Sequence, residues 1–158
     1  MGLVTGTHER SIGVALIRAY EWFDDALIAR MDASGYPGLT RSTSMIFSYL
    51  DPEGSRPVDL ARRIGISRQA VHKTLAEMVE SGLVTLAPDP TDQRAKLVML
   101  TELGREHVVV ARQILADLEQ ELDARIGSER LAGLREALAA DWGDPPVAPV
   151  DSRAGSPE

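Results

Sequence analysis

Between residues 57 and 80, two helix-length apolar patterns are joined by a spacing that leaves the chain few options. Ala61 is followed four residues later by Gly65, and six after that by Val71. A small side chain at Ala61 lets two helices cross at close range. Gly65 takes the left-handed backbone that ends the first helix at low steric cost. Val71 then returns to the shared core. Those requirements together describe a helix-turn-helix. Pro57 suits the first turn of the first helix, which turns Leu60, Ala61 and Ile64 inward. Ser67 caps the second, which carries Val71, Leu75 and Met78 on its apolar side and ends at Ser81-Gly82.

The pattern changes at Leu83. Residues 83–87 and 95–100 are short β-compatible runs, and the polar, turn-rich stretch 88–94 between them predicts a hairpin with a long exposed tip. Upstream, Ile12, Leu16, Ala19, Phe23, Leu27 and Met31 recur at helical spacing until Gly35, Pro37 and Gly38 intervene. Thr40 is placed to cap a further helix bearing Met45, Ile46, Tyr49 and Leu50, and residues 51–54 read as a turn. Downstream, Thr101 caps a long helix with Ala111, Leu115, Leu118, Leu122 and Ile126 on one stripe. Gly127 interrupts it, Ser128 caps again, and Leu131, Leu134, Leu138 and Trp142 form a last apolar face. From Pro145 the chain is rich in Pro, Gly and Ser and reads as disordered.

The expected fold is therefore mainly α with a small β-hairpin wing: a winged helix-turn-helix flanked by N- and C-terminal dimerisation helices. The expected boundaries are 10–36 for the N-terminal dimerisation helix, 37–104 for the DNA-binding domain, 105–142 for the C-terminal dimerisation helices and 143–158 for the tail. Dimerisation follows from the width of the apolar stripes on the first and last helices. A chain of 158 residues cannot easily bury them all within itself, and a symmetric partner is the economical cover.

The second helix of the motif is the candidate recognition helix. With Val71, Leu75 and Met78 inward, Ser67, Arg68, Gln69, His72 and Lys73 face out. Gln bonds bidentately to adenine, Arg to guanine, and Lys is a natural phosphate contact. At the hairpin, Asp92 and Arg94 are singled out. An arginine on an exposed wing enters the minor groove, and Asp92 is expected to bond Arg94 and hold its side chain extended. The net charge of −7 argues against nucleic acid only if it is spread evenly. From Arg56 to Arg105 there are eight basic and six acidic residues, which leaves the acidic excess to the two ends.

Other classes are poorly served. The chain has no cysteine, which removes disulfides, thiolate metal sites and a thiol redox sensor. No apolar run approaches the ~20 residues that span a bilayer. The N-terminus lacks a basic, then apolar, leader, so the expected location is cytoplasmic. There is no Gly-rich phosphate loop, nucleophile elbow or metal-ligand spacing, so no enzyme, cofactor or metal is expected. His8, His72 and His107 are far apart in sequence.

In four segments the sequence resembles the MarR family of bacterial regulators: residues 60–67, 75–84, the stretch Asp89-Pro90-Thr91-Asp92-Gln93-Arg94, and 100–104. Their order and spacing are similar to the family's, and the flanking helices agree in number and length over roughly residues 10 to 142. The resemblance implies a homodimer whose terminal helices interlock while two winged domains straddle a palindromic double-stranded operator. The family's wing Asp and Arg fall on Asp92 and Arg94. It also implies a repressor of transcription released when a small aromatic or phenolic ligand binds between the dimer helices and the DNA-binding lobe. Among the aromatic residues of the first two helices and their connection, Trp22 and Tyr49 with Arg18 are the candidate ligand residues: rings for stacking and a guanidinium for a carboxylate. The alternative is a winged-helix module that binds protein, which would want a more apolar docking face.

Overall fold

In the computed structural model, residues 11–145 are described. Among them run helix α1 (Ile12–Ala33), α2 (Arg41–Tyr49), α3 (Pro57–Ile64) and α4 (Arg68–Glu80), strands β1 (Val84–Asp89) and β2 (Asp92–Leu100), then α5 (Glu102–Ile126) and α6 (Ser128–Ala139). The chain divides into two compact units after Gln120.

Local chemistry sets most boundaries in the first unit. Thr40 and Thr43 form a reciprocal capping box at the start of α2: the Thr43 N–H donates to Thr40 Oγ1 at 3.2 Å and the Thr40 N–H to Thr43 Oγ1 at 2.8 Å. Pro57 occupies the first turn of α3, and Gly65 closes that helix at φ 77°. Ser67 Oγ accepts the Ala70 N–H at 3.1 Å and starts α4. Residues 51–54 turn as expected, with the Gly54 N–H donating to Asp51 O.

Two apolar cores fill the first unit. One joins Ile46, Leu60, Ala61, Val71, Leu75 and Met78 of the helices to Leu83, Val84 and Val98 of the hairpin. The other joins Leu27 and Met31 of α1 and Leu39 to Ile114 and Leu118 of α5. Phe47 packs against both. Near the second core, Arg41 at the start of α2 reaches back to α1. Its Nε donates to the buried Asp24 at 3.1 Å, and its other nitrogens lie 2.5 Å from Asp25 and 3.7 Å from Glu21.

The hairpin departs from expectation. Its strands run on to Asp89 and Asp92, so the tip is only Pro90-Thr91 instead of the long exposed loop 88–94. The cause is Asp89, which is drawn into the fold and accepts both the N–H and the O–H of Thr91 at 2.7 Å. The base of the hairpin is tied to α5. The Thr101 hydroxyl donates to Gly82 O at 2.5 Å, the Thr101 N–H donates to Leu83 O, and the Gly104 N–H donates to Thr101 Oγ1. Gly104 is needed there, because a Cβ on it would stand 2.0 Å from the Leu83 carbonyl oxygen.

The long helix turns its expected stripe inward and widens it by two residues. His107 and Ile114 are buried with Leu118, while Ala111 and Leu115 are half-buried. In the second unit Ser128 is not the cap of α6. Gly127 holds that position at φ 90°, and Ser128, already helical, donates its hydroxyl to Asp123 at 3.1 Å. Leu131 is buried, whereas Leu134, Leu138 and Trp142 remain exposed. The predicted tail at 143–158 lies outside the described residues from 146 onward, as does His8.

Gly104→Ala is expected to destabilise the protein by about 1–3 kcal/mol, because backbone must move to admit the methyl. Urea unfolding with an unchanged m-value measures it; a wild-type midpoint would show that the hairpin base is not close-packed.

Candidate nucleic-acid interface

Helix α4 and the hairpin form two walls of one groove of about 660 Å³. Its lining includes His72, Ala76 and Glu80 from α4 and Leu86, Arg94 and Lys96 from the strands. The structure thus brings the predicted recognition helix and the predicted wing arginine onto one surface. Ser67, Arg68, Gln69, His72 and Lys73 are all exposed, as their register with buried Val71, Thr74, Leu75 and Met78 requires. Lys96 was not singled out in the sequence. It follows Arg94 by two residues, and the strand's period of two would have placed it on the same face.

The ion pairs sort the cations into two sets. Arg41, Arg56, Arg62, Arg63 and Arg105 each pair with a carboxylate. Arg68 and Lys73 on α4 and Arg94 and Lys96 on β2 have no carboxylate within salt-bridge distance among the described residues. Exposed cations left uncommitted on one face make a surface suited to an anionic partner.

Asp92 acts differently from expectation. Its carboxylate accepts the backbone N–H of Arg94 at 3.0 Å and does not hold the guanidinium. It shapes the turn into β2 and leaves the Arg94 side chain uncommitted. The hairpin's direction is set instead by Arg56, at the N-terminal edge of α3. Its Nε donates to Asp89 at 2.6 Å and a terminal nitrogen lies 2.5 Å from the same oxygen. The same nitrogen reaches Thr91 Oγ1 at 3.3 Å. Asp89 is held down to about pKa 2, first by the hydroxyl and amide of Thr91 and then by Arg56.

The predicted ligand residues do not gather at one cavity. Trp22 packs edge-on against Phe23, with ring centroids 4.9 Å apart, in the α1–α5 core. Tyr49 lies against the other core with the Arg63 guanidinium 5.6 Å from its ring, and Arg18 is exposed on α1. Packing has taken both rings. A cavity of about 400 Å³ opens further along α1, and none of the three lines it. Leu27, Phe47, Ser48, His107, Ala111 and Arg112 do. His107 is buried, stands edge-on to Tyr36, and its Nδ1 lies 2.9 Å from Leu103 O. Nδ1 is therefore the protonated nitrogen of the neutral ring, and Nε2 is an acceptor. Arg112 also borders an adjoining cavity with Arg105 and Met99, and it has no ion-pair partner among the described residues. Among those residues no three His, Asp or Glu side chains are grouped to hold a metal.

Comparison with known proteins follows the same lines. The sequence pattern described as MarR family matches residues 38–95. The HTH-type transcriptional regulator TcaR of Staphylococcus aureus (strain Newman) is 26% identical over 118 residues, which cover 72% of this chain and 78% of TcaR. The transcriptional repressor CouR, solved bound to a 23-mer DNA duplex, superposes with a TM-score of 0.68 at 25% identity, over 88% of this chain and 97% of CouR. Wild-type apo MarR from E. coli shares the fold, with a TM-score of 0.68 at 24% identity over 81% of this chain and 94% of its own.

The Asp89 link has a pH signature. A carboxyl near 3.9 unfolded and about 2 folded contributes stability that is fully present above pH ~4 and is lost as pH falls through 2. The melting temperature of Asp89→Asn is expected to lie below wild type at pH 7 by a gap that stays constant down to pH 5. The gap should narrow from pH 4 toward 2. A gap that ignores pH would show the carboxylate charge to be irrelevant there.

Proposed function

We propose that this chain, similar to MarR-family regulators, is a homodimeric transcriptional regulator of that family that binds a palindromic double-stranded operator, and a repressor released by a small aromatic ligand. One observation carries the DNA reading. The uncommitted cations are Arg68 and Lys73 on α4 and Arg94 and Lys96 on β2, the two elements that wall the groove, while cations elsewhere in the winged domain are paired. Ser67, Arg68 and Gln69 at the start of α4 are the base-reading candidates in the major groove, with His72 and Lys73 beside them. Arg94 enters the minor groove and Asp92 fixes the turn that presents it. CouR, similar over most of both chains, is known on a DNA duplex.

The dimer is supported by apolar side chains left uncovered in each unit: Ile12 and Ile17 on α1, and Leu138 and Trp142 at the C-terminal end. A second copy covering such faces sets two recognition helices about one DNA turn apart. The chain acts by binding and not by catalysis, and works in the cytoplasm. Its relatives are transcriptional regulators.

The cavity beside α1, α2 and α5 suits the effector. Leu27, Phe47 and Ala111 offer apolar walls, Arg112 an unpaired cation, and His107 an acceptor for a ligand hydroxyl. These features favour a hydroxylated aromatic acid, held by Arg112 and His107 in place of Arg18, Trp22 and Tyr49.

Selection from random DNA is expected to yield a palindrome with half-sites about 10 base pairs apart. Binding should lose ~10³-fold or more between 50 and 200 mM salt. Recovery of no duplex would favour the protein-docking alternative. Arg94→Ala should cost about 1–3 kcal/mol of operator affinity with an unchanged melting temperature; wild-type affinity would remove the minor-groove role.

Salicylate-like and hydroxycinnamate-like acids are expected to weaken operator binding, as read by fluorescence anisotropy. Arg112→Ala should bind the operator normally and lose that response. A full response in the variant would rule out Arg112 as the anion partner.

A further inference from the structure

Helix α5 turns two adjacent faces toward two cavities. His107, Ala111 and Leu115, spaced one turn apart, line the cavity of about 400 Å³ assigned above to the effector. Arg105 and Val109 line a second, of about 340 Å³, against Met99 and Leu100 at the end of β2. Val108 and Arg112 line both, as do Phe47, Leu50 and Pro52. The shared residues come from the α2 side and from α5, so the cavities meet along a seam and neither helix parts them. The second cavity is large enough to be a ligand site in its own right. It adds a second guanidinium, that of Arg105, and it opens to solvent, where Val109 is 65% exposed. Arg105 and Arg112 are seven residues apart, two turns of helix, so both project to one side. Among the described residues, no carboxylate lines either cavity.

We infer that the two cavities hold one bipartite effector: a hydroxylated aromatic head in the first and, on a short spacer, a phosphate tail in the second, gripped by Arg112 and Arg105. The inference rests on the effector reading above and names the second half of that ligand. An aromatic acid alone occupies the first cavity and leaves the second guanidinium unused. A phosphate monoester carries up to two charges and three acceptor oxygens, enough for both arginines. Arg105 already pairs with Glu102 at 2.7 Å, but both side chains are largely exposed, and a surface pair at this spacing is worth little. Its guanidinium is therefore open to an incoming oxyanion at small cost. Arg105 also donates to Leu100 O at 3.0 Å, so the tail stands beside the contact that ties α5 to the end of β2. The open side of the cavity lets the charge keep part of its water, while the head is enclosed among Leu27, Phe47 and Ala111.

Three probes with one head test this by calorimetry on the full chain: 4-hydroxycinnamate, its uncharged ethanolamide, and the phosphate ester of that ethanolamide. The phosphate is expected to bind with a Kd about 10-fold or more below that of the free acid. The uncharged amide should bind more weakly than the phosphate, which separates charge from bulk. In Arg105→Ala the phosphate should lose its advantage while the free acid binds as it does to wild type. Val109→Trp, which fills the second cavity from an exposed position, should do the same. If Ala at 105 disturbs the end of β2 and lowers the melting temperature, Arg105→Gln takes its place. Equal affinity of wild type for free acid and phosphate, or an advantage that survives the loss of Arg105, would overturn the second seat and leave the effector reading standing. A wild type that binds none of the three would end both.

Discussion

A two-stranded hairpin cannot hold itself together in water, because it buries too little and leaves both edges open. Everything this protein can do with its wing depends on how that deficit is met. The answer is support at three heights. At the base, Thr101 bonds to Gly82 and Leu83 while Gly104 gives the strand room to approach. Midway, Ser55 exchanges both backbone hydrogen bonds with Val98 and extends the sheet by one bridge. At the tip, Arg56 holds Asp89, and Asp89 holds Thr91. Arg56 and Ser55 come from the segment that leads into the helix-turn-helix. The wing is thus referenced to the same helices that carry the recognition face, and the groove between them has fixed walls.

This arrangement divides the charged side chains by task. Some paired arginines join elements distant in sequence, as Arg56 does the hairpin tip and Arg41 does α1, while Arg62 and Arg105 pair within their own helices. An isolated surface pair adds little stability, so the sorting is informative mainly through what it leaves over. A chain with net charge −7 can still present a basic face, because its carboxylates neutralise the cations elsewhere.

Much of this was legible in the sequence, and the boundary of legibility is physical. Caps act across three residues, so Thr40, Ser67 and Thr101 announced their helices correctly. Gly65 announced a left-handed turn for the same local reason. The outward set on α4 followed from helical period alone. What escaped was long-range. Asp89 does close the turn through Thr91, but its second partner, Arg56, lies 33 positions away. The long tip and the reading of Asp92 as a side-chain brace failed for a local reason, since each carboxylate bonds the backbone two residues on. The aromatic residues of α1 and α2 looked like a ligand site by composition, but Trp22 found Phe23 and Tyr49 found Arg63. The cavity appears where α5 passes α1 and α2, and no local pattern marks where those helices fail to fill space.

The clamp at Arg41 gives α2 two unlike ends. Its first residue is tied to three carboxylates of α1, one of them buried. Its far half carries Phe47, which touches both cores and borders the cavity. Ile46 in that half shares a core with Leu60 and Val71, so the end of α2 that packs on the helix-turn-helix is the one opposite the clamp.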